Sequence, residues 1–252
     1  MYRGYSIDNL SIENLFKTVG YKNVVELNEY LSNIENNVHK CLDNIYGNNV
    51  LNGELIMQDW FPNIDCNVFI SHSHKDIKLA KEFASWLYGK FRIRSFIDSC
   101  VWGYSDKLLK LIDDMYCMNK LSNTYNYKKR NFSTSHVHMM LMTAINKMID
   151  KTECVIFLNT SNSNIGEGIS DMTLSPWIYG EIETTRTIRK ILPERIKTYS
   201  QGGEMLNENL NIKYKLDTDH LNKLNSEILI QWNKGNFNTP LDALDELYKL
   251  TI

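Results

Sequence analysis

Apolar positions along this chain change their period several times, and each change predicts an element. Leu27, Leu31, Ile34, Val38, Leu42 and Ile45 fall at three-and-four spacing, which predicts a helix over Val24 to Tyr46 with one apolar face, ended by Gly47-Asn48-Asn49. A shorter helical segment, Ile7 to Thr18, precedes it, so residues 1–62 read as an N-terminal helical extension. Cys66 to Ser71 is an apolar run that stops abruptly in small polar residues, as a buried strand does. Asp76 to Tyr88 follows with Leu79, Phe83, Ala84 and Leu87 on one helical face, and Ile93 to Ile97 reads as the next strand, completing a βαβ unit. A helix from about Ser105 to Met118 is expected next, then a polar stretch to about Ser135 and a Met-rich helix from Val137 to Ile149.

Glu153 to Asn159 is a short, continuous apolar run with the composition of a central parallel strand. The loop from Thr160 to Thr173 is long enough to suggest a functional rim. From Leu174 to about Lys190 a helix is expected, with Ser175 as its cap and Pro176 in the first turn, where the missing N–H does no harm. Beyond Pro193, Ile196 to Tyr199 reads as a short strand, and Asp219 to Trp232 and Leu241 to Leu250 read as helices. The fold class that follows is α/β, a doubly wound parallel sheet over residues 66–200 with helices before and after it. No Gly/Ser/Pro linker separates the front helices from the rest, so they are expected to dock on the main domain.

Composition adds exclusions. With 28 Lys and Arg against 30 Asp and Glu, the net charge of -2 leaves no electrostatic footprint for nucleic acid or an anionic membrane. The run Lys128-Lys129-Arg130 is three charges in a polar stretch, read as solvated. Cys41, Cys66, Cys100, Cys117 and Cys154 are scattered without a CxxC pair, which reads as reduced core thiols, and no further cluster joins His72 and His74 to make a metal site. The start Met1-Tyr2-Arg3-Gly4-Tyr5 lacks the apolar run of a signal peptide and no later run has the length of a membrane span, so a cytoplasmic location is expected. His136 and His138 open the Met-rich helix, whose stripe reads as core.

Three segments together carry a family resemblance. Val68-Phe69-Ile70-Ser71-His72-Ser73-His74-Lys75-Asp76 looks like the opening box of the TIR (Toll/interleukin-1 receptor) domain family. Phe96-Ile97-Asp98-Ser99-Cys100-Val101-Trp102 is similar to the second strand and following loop of TIR-like enzymes in bacterial anti-phage systems of the Thoeris type. Ser175-Pro176-Trp177-Ile178-Tyr179-Gly180-Glu181-Ile182 resembles the family's Ser-x-Trp-x-x-x-Glu helix, in which the Glu is catalytic in the members that cleave NAD. The resemblance covers roughly residues 65–200 and departs from the family at the helical front and at a polar insertion over 119–135, which reads as a lid.

It implies a flavodoxin-like TIR fold over residues 63–200, with 201–252 a C-terminal helical segment packed on it. It also implies an enzyme that takes NAD as substrate without a further cofactor and cleaves the nicotinamide–ribose bond. The expected product is an ADP-ribose-derived signal, cyclic or conjugated, read by a downstream effector, and TIR self-association is the expected protein contact. The competing expectation is a non-catalytic TIR scaffold acting only through TIR–TIR contacts.

The residues fit that chemistry in stated roles. Pyridinium is already a cationic leaving group, so cleavage calls chiefly for a fixed carboxylate beside the oxocarbenium-like ribose. Glu181 lies one turn along the same helical face as Trp177, and the pair can address one cleft, with Glu181 catalytic and Trp177 binding substrate. Glu183 points elsewhere and reads as surface charge. Ser71 and His72 leave the first strand at the sheet's carboxyl edge, where hydroxyls and amides can hold a ribose or pyrophosphate. By resemblance Asp98 and Trp102 line the same cleft, as ribose acceptor and stacking ring, or else they are a turn residue and a half-buried anchor. Asp76 reads as a helix cap.

Overall fold

In the computed structural model of the chain, residues 1–20, 52–97, 99–119, 123–163, 172–196, 214–215 and 218–251 are described. Their strands are β1 (Arg3–Asp8), β2 (Val68–Ser71), β3 (Ser95–Ile97), β4 (Met118–Asn119), β5 (Thr124–Tyr125), β6 (Cys154–Asn159), β7 (Met172–Thr173), β8 (Tyr214–Lys215) and β9 (Asn222–Leu224). Their α-helices are α1 (Asn9–Val19), α2 (Gly53–Trp60), α3 (Ile77–Phe91), α4 (Ser99–Ile112), α5 (Tyr127–Lys151), α6 (Pro176–Thr187), α7 (Ser226–Lys234) and α8 (Pro240–Leu250). The chain divides into two units, one of Met1–Val24, Asp65–Ile97 and Ile149–Ile252, the other of Val25–Ile64 and Asp98–Met148.

The first unit is built on a five-stranded sheet in the order β3-β2-β6-β1-β9, with every pairing parallel. The expected central strand is there: β6 lies in the middle and its residues Cys154 to Leu158 are fully buried. Strands covered on both faces must be apolar throughout, and this run meets that demand. The expectation of an all-helical front is corrected. Arg3–Asp8 is a strand inserted between β6 and β9, and only from Asn9 does the chain become helical. Tyr5 and Ile7 are buried in the sheet, but an apolar alternation this short, followed at once by the helical spacing of Ile12 and Leu15, reads as the helix's own first turn.

Asp8 ends the strand and starts the helix, its carboxylate accepting from Ser11 N at 2.7 Å, and Gly20 closes α1 at φ 61°, a left-handed conformation open to glycine. The helix expected over Val24 to Tyr46 lies outside the described residues. At the other end, Asp219 to Trp232 is not one helix: Asn222–Leu224 pairs with β1 as an edge strand, and α7 begins only after Asn225 caps it. The C-terminal segment therefore contributes a strand as well as helices. Glu194–Ile196 is a 3₁₀ turn, and the rest of the strand expected there lies outside the described residues.

The two faces of this sheet carry different helices. In the register Phe69↔Val155 and Ser71↔Phe157, alternation directs these four side chains to one face. Helix α6 covers that face, with Ile178 and Ile182 clustered on Phe157 and Leu221. On the opposite face Tyr5 stacks on Tyr248 of α8, and α7 packs against both α1 and α8. Helix α3 joins that side through Trp86 and Phe91, whose rings meet Trp232 of α7 at 5.5 and 4.1 Å. This is what right-handed crossovers require, since β2 to β3 moves one way along the sheet and β6 to β9 the other.

In the second unit, α4 runs on into a π-helical turn, Asp113–Cys117, and β4 and β5 form a short antiparallel ladder. The polar stretch expected to reach Ser135 is corrected here, because α5 already begins at Tyr127. Asn126 caps it by accepting from Lys129 N at 3.1 Å, and the first turns are tied down where buried Asp113 accepts from Ser133 Oγ at 2.5 Å and Arg130 Nε at 2.9 Å. Residues 127–135 are thus anchored helix rather than a loose lid.

Cys66, Cys117 and Cys154 are free and buried. Burial pushes the Cys66 thiol up to about 12 and that of Cys154 well above its ordinary value. Both thiols should therefore stay unmodified by iodoacetamide at pH 8 in the native protein and react once guanidinium unfolds it, as read by peptide mass spectrometry. The stabilisation from keeping Cys66 neutral is complete below its unfolded value and is lost as pH rises toward about 12. No helix among the described residues is long and apolar enough to cross a membrane. No group of three or more His, Cys, Asp or Glu among them could hold a metal ion.

Candidate active site

Strand β2 is buried along its whole length and ends at Ser71. Because Ser71 shares the face of Phe69, its hydroxyl points to the side that α6 covers. Helix α6 begins as expected, with Ser175 Oγ accepting from Ile178 N at 3.3 Å and Pro176 in the first turn. Its buried residues are Ile178, Glu181, Ile182 and Thr185, the i, i+3, i+4, i+7 stripe of a helix pressed on a sheet. Packing alone asks for an apolar residue at the second of these positions, and the chain has a glutamate with 0 % exposure.

Ser71 meets it there. Its Oγ donates to Glu181 Oε2 at 2.6 Å, joining residues 110 apart in sequence, and Ser71 too is 0 % exposed. Burial disfavours a charged carboxylate and a donated hydroxyl favours it, so the pair is a balance of opposed terms rather than a surface contact. It lies where the connection leaving β2 goes to one face of the sheet and that leaving its neighbour β6 goes to the other. Such a switch at the carboxyl edge opens the crevice in which α/β sheets hold ligands.

The other expected site residues are distributed as follows. His72 is buried beside Ser71, with Nδ1 3.3 Å from Ile70 O. Trp177 is half-buried, one turn before Glu181 on α6. Asp98 lies outside the described residues, and of Trp102 only its place in α4 is described. Ser71 and Glu181 are therefore brought into direct contact, with His72 next to Ser71 and Trp177 four residues before Glu181 in the chain. Glu183 pairs with Arg186 at 3.5 Å on the same helix, away from the buried stripe.

Asp76 is a further correction. It is not a capping side chain: a 3₁₀ turn, His74–Asp76, precedes α3, and Asp76 has φ -100° and ψ 15°, outside the extended region from which a cap reaches back to the helix. Its buried carboxylate crosses to the loop after β6, accepting from Thr160 Oγ1 at 2.5 Å and from Asn162 Nδ2 at 2.6 Å. Thr160 N in turn donates to Ser163 Oγ at 2.8 Å. The exits of β2 and β6 are thereby clasped side by side. The sequence signal was Thr160-x-Asn162-Ser163 directly after an apolar strand, which becomes informative only once β6 is known to neighbour β2. Asp76→Ala should destabilise the protein by about 2–4 kcal/mol, because two donors lose a charged acceptor, and Asp76→Asn by less; urea denaturation checks both.

No family model matches the chain, and no curated protein or solved structure matches it.

Proposed function

We propose that this chain is a TIR-type enzyme that cleaves the nicotinamide–ribose bond of NAD, with Glu181 as its catalytic residue. The observation that carries the reading is the meeting of Glu181 with the terminus of β2. The carboxylate of the Ser-x-Trp-x-x-x-Glu helix occupies a core position on α6 and bonds Ser71 at the sheet's carboxyl edge. A glutamate serving only as surface charge would sit on the solvated face of α6, as Glu183 does beside Arg186.

In this reading the C1′–N bond breaks with its electron pair leaving on neutral nicotinamide, and the positive charge left on the ribose is stabilised by the Glu181 carboxylate. Trp177, one turn earlier, provides a ring face next to that position. Water or a hydroxyl of the same nucleotide then bonds to C1′ and loses its proton, giving ADP-ribose or a cyclic form. A cyclic or conjugated product serving as a signal in bacterial anti-phage defence follows from the family resemblance. So does self-association through TIR–TIR contacts.

One observation favours the second reading, a non-catalytic TIR scaffold. Glu181 has no exposed surface, and a carboxylate closed off in this way acts as an internal hydrogen-bond acceptor unless the crevice opens. The readings separate on turnover. Purified protein, tested alone and after concentration-driven assembly, is incubated with NAD and nicotinamide is measured chromatographically. Release that vanishes in Glu181→Gln supports the enzyme, and equal values for both proteins in every state support the scaffold.

A further inference from the structure

Ser71 was expected to hold a ribose or pyrophosphate, yet its hydroxyl is directed at Glu181. The bond is 2.6 Å, within the range of O–H···O⁻ contacts to an ionised acceptor, and both partners are removed from solvent. A serine cannot donate twice, so a hydroxyl committed to Oε2 is not at the same time a donor to a sugar or phosphate oxygen. Nor is Ser71 there as filler: its neighbours along the strand on the same face, Phe69, and across the register, Phe157, are large and apolar. The sheet at this spot favours an apolar side chain, and the hydroxyl is retained where only Glu181 is shown to receive it.

We infer that Ser71 is a positioning residue for Glu181, its hydroxyl holding the carboxylate ionised and in one orientation at the end of β2. This inference rests on the catalytic reading of Glu181 and goes beyond it by assigning a group that favours its charged form. The residue that closes β2 thus acts on the reaction through the carboxylate, not by touching substrate.

Other ionisable groups on the elements packed around Glu181 make contacts of their own. His72, at the exit of β2, has Nδ1 near Ile70 O, and Asp76 accepts from Thr160 and Asn162. Ahead of β9, His220 Nε2 lies 2.8 Å from Thr185 Oγ1; that hydroxyl also donates to Ile182 O, so His220 is the donor to it. On α6 itself, Glu183 and Arg186 pair with each other. Ser71 donates to the carboxylate at Oε2.

The test follows the charge directly. Glutamate side-chain carboxyls are labelled with ¹³C, and the Glu181 signal is assigned by its loss in Glu181→Gln. Its titration is then followed in wild type, Ser71→Ala and Ser71→Thr. Without the hydroxyl the protonated form gains, so in Ser71→Ala the midpoint should rise by roughly one pH unit, the worth of one charge-assisted hydrogen bond. Ser71→Thr, which keeps a hydroxyl on the same carbon, should return it toward the wild-type value. Thermal melting of each variant confirms that the titrated species is folded.

In parallel, the acid limb of nicotinamide release should move to higher pH by the same amount in Ser71→Ala. A midpoint that stays put, or a rate reduced equally at every pH, overturns the role assigned to Ser71. Wild type that leaves NAD intact overturns the catalytic reading instead, and the carboxyl titration still reports on Ser71 independently.

Discussion

On the proposed reading of the chain as an NAD-cleaving enzyme, Glu181→Gln should lower nicotinamide release by at least about 10²–10³-fold while the protein stays folded. Glutamine preserves the length of the side chain and an oxygen able to accept from Ser71, so the buried stripe of α6 remains filled and the contact at the end of β2 remains satisfied. What disappears, on that reading, is the negative charge facing the developing oxocarbenium ion, and with it the interaction that is stronger in the transition state than in the bound substrate. The effect should therefore fall on kcat, with KM little changed, since NAD carries its binding groups elsewhere. Circular dichroism and a melting temperature within a few degrees of wild type accompany the assay. A variant that turns NAD over at the wild-type rate would remove Glu181 from the chemistry.

The largest stability effect is expected at Trp232. Its side chain has 0 % exposure, lies against Phe91 at 4.1 Å and Trp86 at 5.5 Å between ring centroids, and donates from Nε1 to Ala243 O at 2.8 Å. Three helices, α3, α7 and α8, meet on this one ring system. Trp232→Ala leaves a large cavity and removes the hydrogen bond to the Ala243 carbonyl, which keeps its place in the ladder of α8, costing about 3–5 kcal/mol for the cavity and about 0.5–1.5 kcal/mol for the lost bond. Against a total stability of about 5–15 kcal/mol, that is enough to leave much of the protein unfolded at 37 °C. Trp232→Phe keeps most of the ring contact and loses the hydrogen bond, and should cost markedly less. Urea denaturation of the three proteins orders them, and an alanine variant as stable as the phenylalanine one would mean that the cluster is not a shared support.

The parts of the fold legible in the sequence were those whose signal is local. β6 is recognisable because five consecutive residues, Cys154 to Leu158, suit burial on both faces, and α6 because Ser175 and Pro176 mark its start. β1 and β9 were not legible. They are six and three residues long, and what makes them strands is a partner far away in the chain: Tyr5 lies beside Ile156, and Asn222 beside Tyr5. Tertiary pairing of this kind overrides a local reading that sees only apolar residues next to a helix.

The start of α5 was missed for a related reason. Asn126 is a good cap, but the Ser, Thr and Asn residues that follow are poor helix formers, and the turn holds through Asp113. At the candidate site, Ser71 and Glu181 were each legible, one as the polar residue ending an apolar strand, the other by its place after Trp177. Their bond was not, because it depends on which face of β2 meets α6. Nor was the clasp at Asp76, whose favoured role by residue type was the cap that backbone geometry denies it.

The place of β1 between β6 and β9 has a consequence for biosynthesis. A ribosome makes these residues before every other strand of their sheet, and the strand that pairs with one side of them emerges about 150 residues later, roughly ten to thirty seconds at ordinary elongation rates. Throughout that interval the nascent Arg3–Asp8 segment has neither neighbour, and its apolar side chains are open to chaperones. The five-stranded sheet cannot be completed before Asn222–Leu224 has been made, so the pairing of β1 with β9 waits for the last of its strands in chain order.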